Sequence, residues 1–412
     1  MDHDTSSTAK DSRTDMTEEP LKGVRVLELG SLIAGPYAAS IFGQFGAEVI
    51  KVEPPGSGDP LRRWRKMHKD TSLWWYTQSR NKKSITVDLK SPKGQQIIHD
   101  LIRETDIVIE NFRPGTLEKW NLGWEQLSAI NPSLIMVRVS GYGQDGPYSP
   151  RPGFAAIAES MGGLRHLAGY PDRPPVRAGV SIGDTLASLY GVIGAMTAMY
   201  HLKVNGGKGQ YVDVALTEAV LGVMESLIPE YGMFGFIRER TGASMPGIAP
   251  SSSYPTIDGR YIVIAANSDS IFNRFMVAIG RQDLADDAGL KHNDGRAARS
   301  DELDQIIEHW TRQHTLEEAL AVLEAAEVPA SAINNAEDIY NDPHFRAREM
   351  ICEHSLPDGE SISIPGIVPK LSATPGTTKW LGPKLGEHTD EVLKHLGLDE
   401  SSIDALKAEG VI

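Results

Sequence analysis

One carboxylate stands at the mouth of a long run of apolar and small residues, Val180-Ser181-Ile182-Gly183-Asp184-Thr185-Leu186-Ala187-Ser188-Leu189-Tyr190-Gly191. Asp184 is the only acid between Asp172 and Asp213. An anion at a helix N-terminus meets unpaired backbone N–H groups and the positive end of the helix dipole. That setting favours an ionised carboxylate in a sheltered place, which is what a nucleophile needs. The same spacing also suits a plain helix cap, because Asp is a preferred N-cap residue. The spacing alone leaves both readings open.

Three glycine-containing segments follow expected strands: Gly56-Ser57-Gly58-Asp59, Asn111-Phe112-Arg113-Pro114-Gly115 and Ser140-Gly141-Tyr142-Gly143-Gln144. Each can be an ordinary tight turn. Together they suggest a ligand cleft, since ligands gather at the carboxyl ends of parallel strands. Arg62, Arg63, Arg65, Arg80, Lys82 and Lys83 fall in the same half of the chain. They can hold an anionic ligand or form a solvated face. Gly30-Ser31-Leu32-Ile33-Ala34-Gly35 is not a GxGxxG fingerprint, and Gly206-Gly207-Lys208-Gly209 is not a P-loop. The twelve histidines show no ligand spacing, so no metal is expected.

The elements that must position these residues alternate. Val24–Leu29, Glu48–Val52, Ser84–Asp88, Asp106–Glu110, Leu134–Val139 and Tyr211–Ala215 read as strands. Helices are expected up to about Phe45, from Ser91-Pro92 to Ile102, over Ala155–Met161, over Thr185–Leu202, and from about Thr217 to Ile228. Strands alternating with helices argue for a parallel sheet covered on both faces. The Gly, Ser and Pro content of Gly232–Pro255 marks a loop and a domain boundary. Beyond it, Tyr261–Ala266 and Val328–Ile333 read as strands, Ser270–Ile279 as a helix, and Thr315-Leu316-Glu317-Glu318 as a capping box. A further strand is expected near Ser361–Ile364.

At 412 residues, two domains are the default. A hydrophobic fraction of 40% supports a sizeable core, and the net charge of -14 argues against nucleic acid or an anionic membrane as partner. The single cysteine, Cys352, excludes an intrachain disulfide framework. Residues 1–20 are polar and acidic, without the pattern of a signal or transit peptide, and read as a disordered tail of a cytoplasmic protein. Leu186–Leu202 is nearly long enough to span a membrane. Its stripe of Gly183, Ala187, Gly191, Ala195 and Ala198 suits a buried core helix better, and no membrane association is expected.

Taken in order, these segments resemble the class III CoA-transferase family, which also contains acyl-CoA racemases. The resemblance rests on Ala34-Gly35-Pro36, the block Gly46–Glu53 with its following loop, Asn81-Lys82-Lys83-Ser84-Ile85, Glu110–Gly115, Gly141-Tyr142-Gly143, Gly183-Asp184 and Leu385-Gly386-Glu387-His388-Thr389-Asp390. It spans roughly residues 20–412. It implies an α/β fold with a large Rossmann-like domain (21–229), a smaller α/β domain (230–335), a C-terminal segment (336–412) that returns to the large domain, and an interlocked homodimer. It implies Asp184 as the catalytic nucleophile, and a CoA site at Ala34, Asn111, Phe112, Lys119 and Tyr142. The substrates would be an acyl-CoA and a carboxylic acid, nearest to succinyl-CoA and a dicarboxylate, with no further cofactor.

Phe154 stands where the family's racemases carry a catalytic histidine, Ile33 where its oxalate-using members carry glutamine, and Pro54 where some carry a nucleotide-binding arginine. Racemisation, and a non-catalytic CoA-binding protein in which Asp184 is only a cap, are the alternatives. Arg165, His166, Arg238 and Arg240 are candidates to pair a second carboxylate.

Overall fold

The computed structural model describes residues 19–412, so most of the tail expected over 1–20 lies outside the described residues. The chain forms two compact units. The first comprises residues 19–162, Val180–Met224 and Glu349–Ile412, and the second comprises Gly163–Gly179 and Glu225–Arg348. Residues 163–179, expected within 21–229, group with the second unit instead.

The first unit is built on a six-stranded sheet: β1 (Arg25–Glu28), β2 (Glu48–Glu53), β3 (Lys82–Thr86), β4 (Ile107–Glu110), β5 (Ile135–Ser140) and β6 (Gln210–Ala215). Its spatial order is β3-β2-β1-β4-β5-β6, and every pairing is parallel. Val26 of β1 sits between Val49 of β2 and Ile107 of β4. The near-continuous apolar runs of β4 and β5 are buried throughout, as a sheet covered on both faces requires. The strand order reverses between β1 and β4, so the carboxyl ends of these two strands open a crevice.

Two helices flank that crevice: α1 (Ala34–Gln44), which follows β1, and the 23-residue α2 (Ile182–Val204). The long helix packs on α1, β5 and β6 through Gly183, Ala187, Gly191, Ala195 and Ala198. The expected core helix is thus buried on one face only. Leu189, Ile193 and Tyr200 on its other side are 42%, 59% and 61% exposed. Leu27, Ile50, Ile85, Ile98, Val108 and Met136 form one core, and Val392, Leu393 and Ile403 from the C-terminal segment pack into it.

Charge is buried in this unit as well. Lys51 of β2 lies 2.7 Å from Glu28 and 2.8 Å from Asp59, and Lys82 of β3 lies 2.7 Å from Glu28. All four side chains are at most 1% exposed. Buried ions of this kind persist only when paired. Lys51→Met is therefore expected to destabilise the protein by about 3–5 kcal/mol, because the buried Asp59 would lose its ion-pair partner while Glu28 keeps Lys82. Urea unfolding checks this, and a change below about 1 kcal/mol would contradict it.

The second unit carries a three-stranded antiparallel sheet of Ser251–Pro255, Tyr261–Ala265 and Ala330–Ala332. Its core holds Tyr254, Ile262, Ile264, Phe272, Phe275, Leu303 and Leu323. Ser251–Pro255 was expected as loop. It is a strand because Ser252 and Tyr254 alternate inward, and the Tyr254 hydroxyl donates to Asp304 at 2.6 Å. The expected helix from Thr217 to Ile228 breaks into Leu216–Leu221 and Leu227–Phe234. The capping box at Thr315 and Glu318 forms with both of its hydrogen bonds.

Candidate functional site at the start of the long helix

The helix that carries Asp184 begins earlier than its sequence suggests. Ile182 is its first residue and Ser181 its cap, which makes no side-chain capping bond. Asp184 therefore lies inside the first turn, half-buried, and is not the cap. Its carboxylate still meets the positive end of the helix dipole.

Three contacts fix this turn. The Thr185 hydroxyl donates to the Ser181 carbonyl at 3.0 Å. The Ser188 hydroxyl lies 2.7 Å from two carbonyl oxygens, those of Asp184 and Ala34. It thereby ties the turn to the first residue of α1. A Cβ at Gly183 would lie 3.4 Å from Ala155, at the edge of ordinary van der Waals contact, so the helix start packs directly on the helix Ala155–Met161. Just before that helix, Gly153 and Gly141 touch so closely that a Cβ on either would fall 2.8 Å from the other's Cα.

Of the candidate CoA residues, Ala34 and Asn111 are tied to this frame by hydrogen bonds. Ala34 is buried at the start of α1. The Asn111 side chain, just past β4, accepts from the Ser31 N–H at 2.9 Å and donates to its carbonyl at 2.8 Å. Ala34, Asn111 and the Asp184 turn are thus joined by hydrogen bonds around the β1–α1 connection. Phe112 packs edge-on against Trp120, with ring centroids 5.3 Å apart. Its N–H donates to the Glu110 carboxylate at 2.8 Å. Burial pushes that carboxyl up to about 7, against the pull of Arg138 at 2.9 Å. Tyr142 follows β5 and meets Tyr148 edge-on at 5.9 Å. Lys119 ends the short helix Thr116–Lys119, exposed, and its ammonium makes no hydrogen bond among the described residues.

A cavity of about 430 Å³ lies beside the Asp184 turn, lined by Ile33, Tyr37, Trp74, Gln78, Ser181 and Thr185 together with the cations Arg65 and Lys66. Most of the basic run is internal structure rather than a ligand site. Lys82 holds Glu28, Arg62 holds Glu53 at 2.7 Å, and Lys83 holds Glu48 and Glu391. Arg63 donates to the Ser57 carbonyl and Arg80 to that of Pro365. Arg65 differs. Its backbone has a φ of 60°, its guanidinium stacks 4.7 Å from the Trp74 ring, and neither it nor Lys66 has an ion-pair partner among the described residues.

The candidates named for a second carboxylate lie in the other unit. Arg238 is held by Glu225 and Glu230, His166 sits 3.1 Å from Glu239, and Arg240 donates to the His166 carbonyl at 2.9 Å. The fold also brings His68 within 2.6 Å of Asp358, a pairing hidden by 290 residues of separation. Lys69 shares the same carboxylate oxygen, so its ammonium fills the place a cation would take.

The chain matches CoA-transferase family III over residues 21–389. It belongs to that family. This family III CoA-transferase is 49% identical over 395 residues to "Succinyl-CoA--D-citramalate CoA-transferase" of Chloroflexus aurantiacus, covering 95% of this chain and 98% of the relative. It is 34% identical over 396 residues to the human "Succinyl-CoA:glutarate CoA-transferase", covering 96% of this chain and 90% of the relative. Among solved structures, it superposes on a CAIB/BAIF family protein from Brucella suis with a TM-score of 0.81 and 34% identity, over 92% of this chain and 99% of that one. The family III CoA-transferase is thus an enzyme, with a mixed α/β fold around a parallel sheet. Its cavity walls Trp74 and Gln78 escaped sequence reasoning, because they read as an ordinary stretch between strands.

Proposed function

We propose that this enzyme moves CoA from succinyl-CoA to a dicarboxylic acid, with Asp184 as nucleophile. The observation that carries the reading is the cavity beside the Asp184 turn, which holds two cations without carboxylate partners among the described residues. The relatives' names, which pair succinyl-CoA with citramalate and glutarate, support the same substrate class. Arg65, with Lys66, takes the far carboxylate of the substrate while its near end meets Asp184.

In the proposed cycle, an Asp184 carboxylate oxygen attacks the thioester carbonyl, the C–S bond breaks, and CoA thiolate leaves behind an aspartyl–acyl anhydride. The thiolate attacks the aspartyl carbonyl and frees the first acid as a carboxylate. The acceptor carboxylate attacks this aspartyl–CoA thioester and releases thiolate again. Thiolate then attacks the acceptor's acyl carbonyl, giving the new acyl-CoA and regenerating the Asp184 carboxylate. Charge balances at each step without net proton transfer. Three covalent intermediates on Asp184, an anhydride, a CoA thioester and a second anhydride with the acceptor, replace one difficult exchange, and water must be kept from the anhydrides. Ala34, Asn111, Phe112, Lys119 and Tyr142 line the CoA site in this reading. Phe154 has no proton to exchange, which favours transfer over racemisation.

The parallel order 3-2-1-4-5-6 supports a Rossmann-like description of the large domain. The apolar exposed side of α2 supports an interlocked homodimer in which a second copy covers it. We place the enzyme in the cytoplasm. Dilution to nanomolar concentration is expected to leave dimer and unfolded chain only, as read by mass photometry. A compact folded monomer would contradict this. The substrate reading is tested by incubating the enzyme and succinyl-CoA with paired mono- and dicarboxylic acids and weighing the new thioesters. Dicarboxylates are expected to dominate, and equal use of both classes would overturn the reading.

A further inference from the structure

We propose that Asp59 is a positioning residue of the transfer reaction: its carboxylate holds the Leu32 peptide in a left-handed conformation that sets Ile33 and Ala34 beside the turn carrying Asp184. The inference rests on the reading of Asp184 as nucleophile, and asks what holds its surroundings in place.

Leu32 has a φ of 67°, a region that disfavours any residue with a side chain. It persists only if its surroundings impose it. They do so completely. The Leu32 N–H faces both oxygens of the Asp59 carboxylate at 3.1 Å. The Leu32 carbonyl accepts from the Gln78 side chain at 2.5 Å. The N–H and carbonyl of Ser31 are both taken by Asn111. The Gly30 carbonyl accepts from Lys51 at 3.0 Å. Side chains from four separate segments thus hold three successive residues.

The next two residues reach the site. Ile33 lines the cavity, and the Ala34 carbonyl accepts from the Ser188 hydroxyl that also meets the Asp184 carbonyl. A shift at Leu32 therefore moves one wall of the cavity and the support of the Asp184 turn together.

Asp59 itself is 1% exposed and does not line the cavity. Burial would raise its carboxyl, but Lys51 at 2.8 Å and the N–H groups of Leu61 and Leu32 outweigh that and hold it below the usual carboxylate range. The group is an anion facing only donors. An amide in its place would turn an NH₂ toward the Leu32 N–H or the Lys51 ammonium, donor against donor.

The test compares Asp59→Asn, Leu32→Gly and the double variant. Glycine adopts the left-handed region without steric cost, so Leu32→Gly removes the need for the clamp. Asp59→Asn is expected to lower kcat about 10–100-fold, the size of a small misplacement at a reacting centre, with KM for acyl-CoA within about threefold. Leu32→Gly alone is expected to stay near the wild-type rate. The double variant is expected to recover at least about tenfold of the loss. A purely structural Asp59 would lower thermal stability without this kcat-against-KM split, and its loss would persist in the Leu32→Gly background. That result, or a wild-type kcat in Asp59→Asn, overturns the proposal. If Asp59→Asn does not fold, Asp59→Glu carries the same test, since it keeps the anion for Lys51 and displaces the carboxylate by one methylene. The rate of acyl-CoA-dependent labelling of Asp184 separates the two readings. Wild-type enzyme that turns over without labelling Asp184 removes the nucleophile reading beneath the proposal. Labelling at the wild-type rate in the folded Asp59 variants removes only the proposal.

Discussion

Asp184→Ala is expected to lose CoA transfer by about 10⁴-fold or more, the scale seen when a covalent nucleophile is removed, while remaining folded. The structure makes the second half of that expectation specific. A capping aspartate would contribute about 1 kcal/mol to stability when lost. Asp184 is not the cap, because Ser181 holds that position and the helix already includes Ile182 and Gly183. Its place in the first turn contributes about 0.3–1 kcal/mol through the helix dipole. The turn stays in place through backbone groups, since Ser188 binds the carbonyls of residues 184 and 34, not the carboxylate. The unfolding temperature and CoA affinity of the variant are therefore expected to stay close to wild type. Calorimetry, CoA titration and a mass-spectrometric transfer assay check the three parts together. A folded variant that transfers CoA near the wild-type rate would reduce Asp184 to a structural residue.

Arg65→Met is expected to lower the preference for glutarate over pentanoate as acceptor by about 10–100-fold, one charge-assisted hydrogen bond's worth of about 1.5–3 kcal/mol. The two acids share a carbon count and differ only in the far carboxylate. Methionine keeps an apolar stem against Trp74, where the guanidinium now stacks at 4.7 Å. The rate with pentanoate is therefore expected to change little. Because Arg65 has no ion-pair partner among the described residues, its removal leaves none of their carboxylates stranded. An unchanged ratio of kcat/KM for the two acids would exclude Arg65 from carboxylate recognition.

Much of the first unit was legible because its strands announce themselves. Val26, Leu27 and the fully buried runs of β4 and β5 are short apolar segments between turn signals, and their parallel pairing, though not their spatial order, follows from their alternation with helices. The glycines at 141 and 183 were equally visible as residues, but what they approach was not. Gly141 meets Gly153, and Gly183 meets Ala155, through contacts that no local spacing encodes. The basic run misled for a related reason. Lys82 and Arg62 look like solvated or ligand-binding charges until β1 and β2 bring Glu28 and Glu53 against them. Arg65, from the same run, escapes such pairing and faces the cavity. Ser251–Pro255 reads as loop because three serines carry no apolar alternation. Its strand is imposed by pairing with Tyr261–Ala265 and by the buried Tyr254. The long helix starts at Ile182, one turn before the apolar run suggests, because Ile182 and Gly183 carry no local helix signal, while in the structure Gly183 packs on Ala155 and Thr185 bonds the Ser181 carbonyl.

The proposed cycle requires a covalent bond between the acyl group of acyl-CoA and one side chain. The direct measurement is to incubate the full-length enzyme with succinyl-CoA, quench with hydroxylamine, digest, and weigh the peptide that contains Asp184. A hydroxamate on Asp184 is expected, forming only when acyl-CoA is present. An unmodified Asp184 in enzyme that is turning over, or the same modification on a different carboxylate, would contradict it.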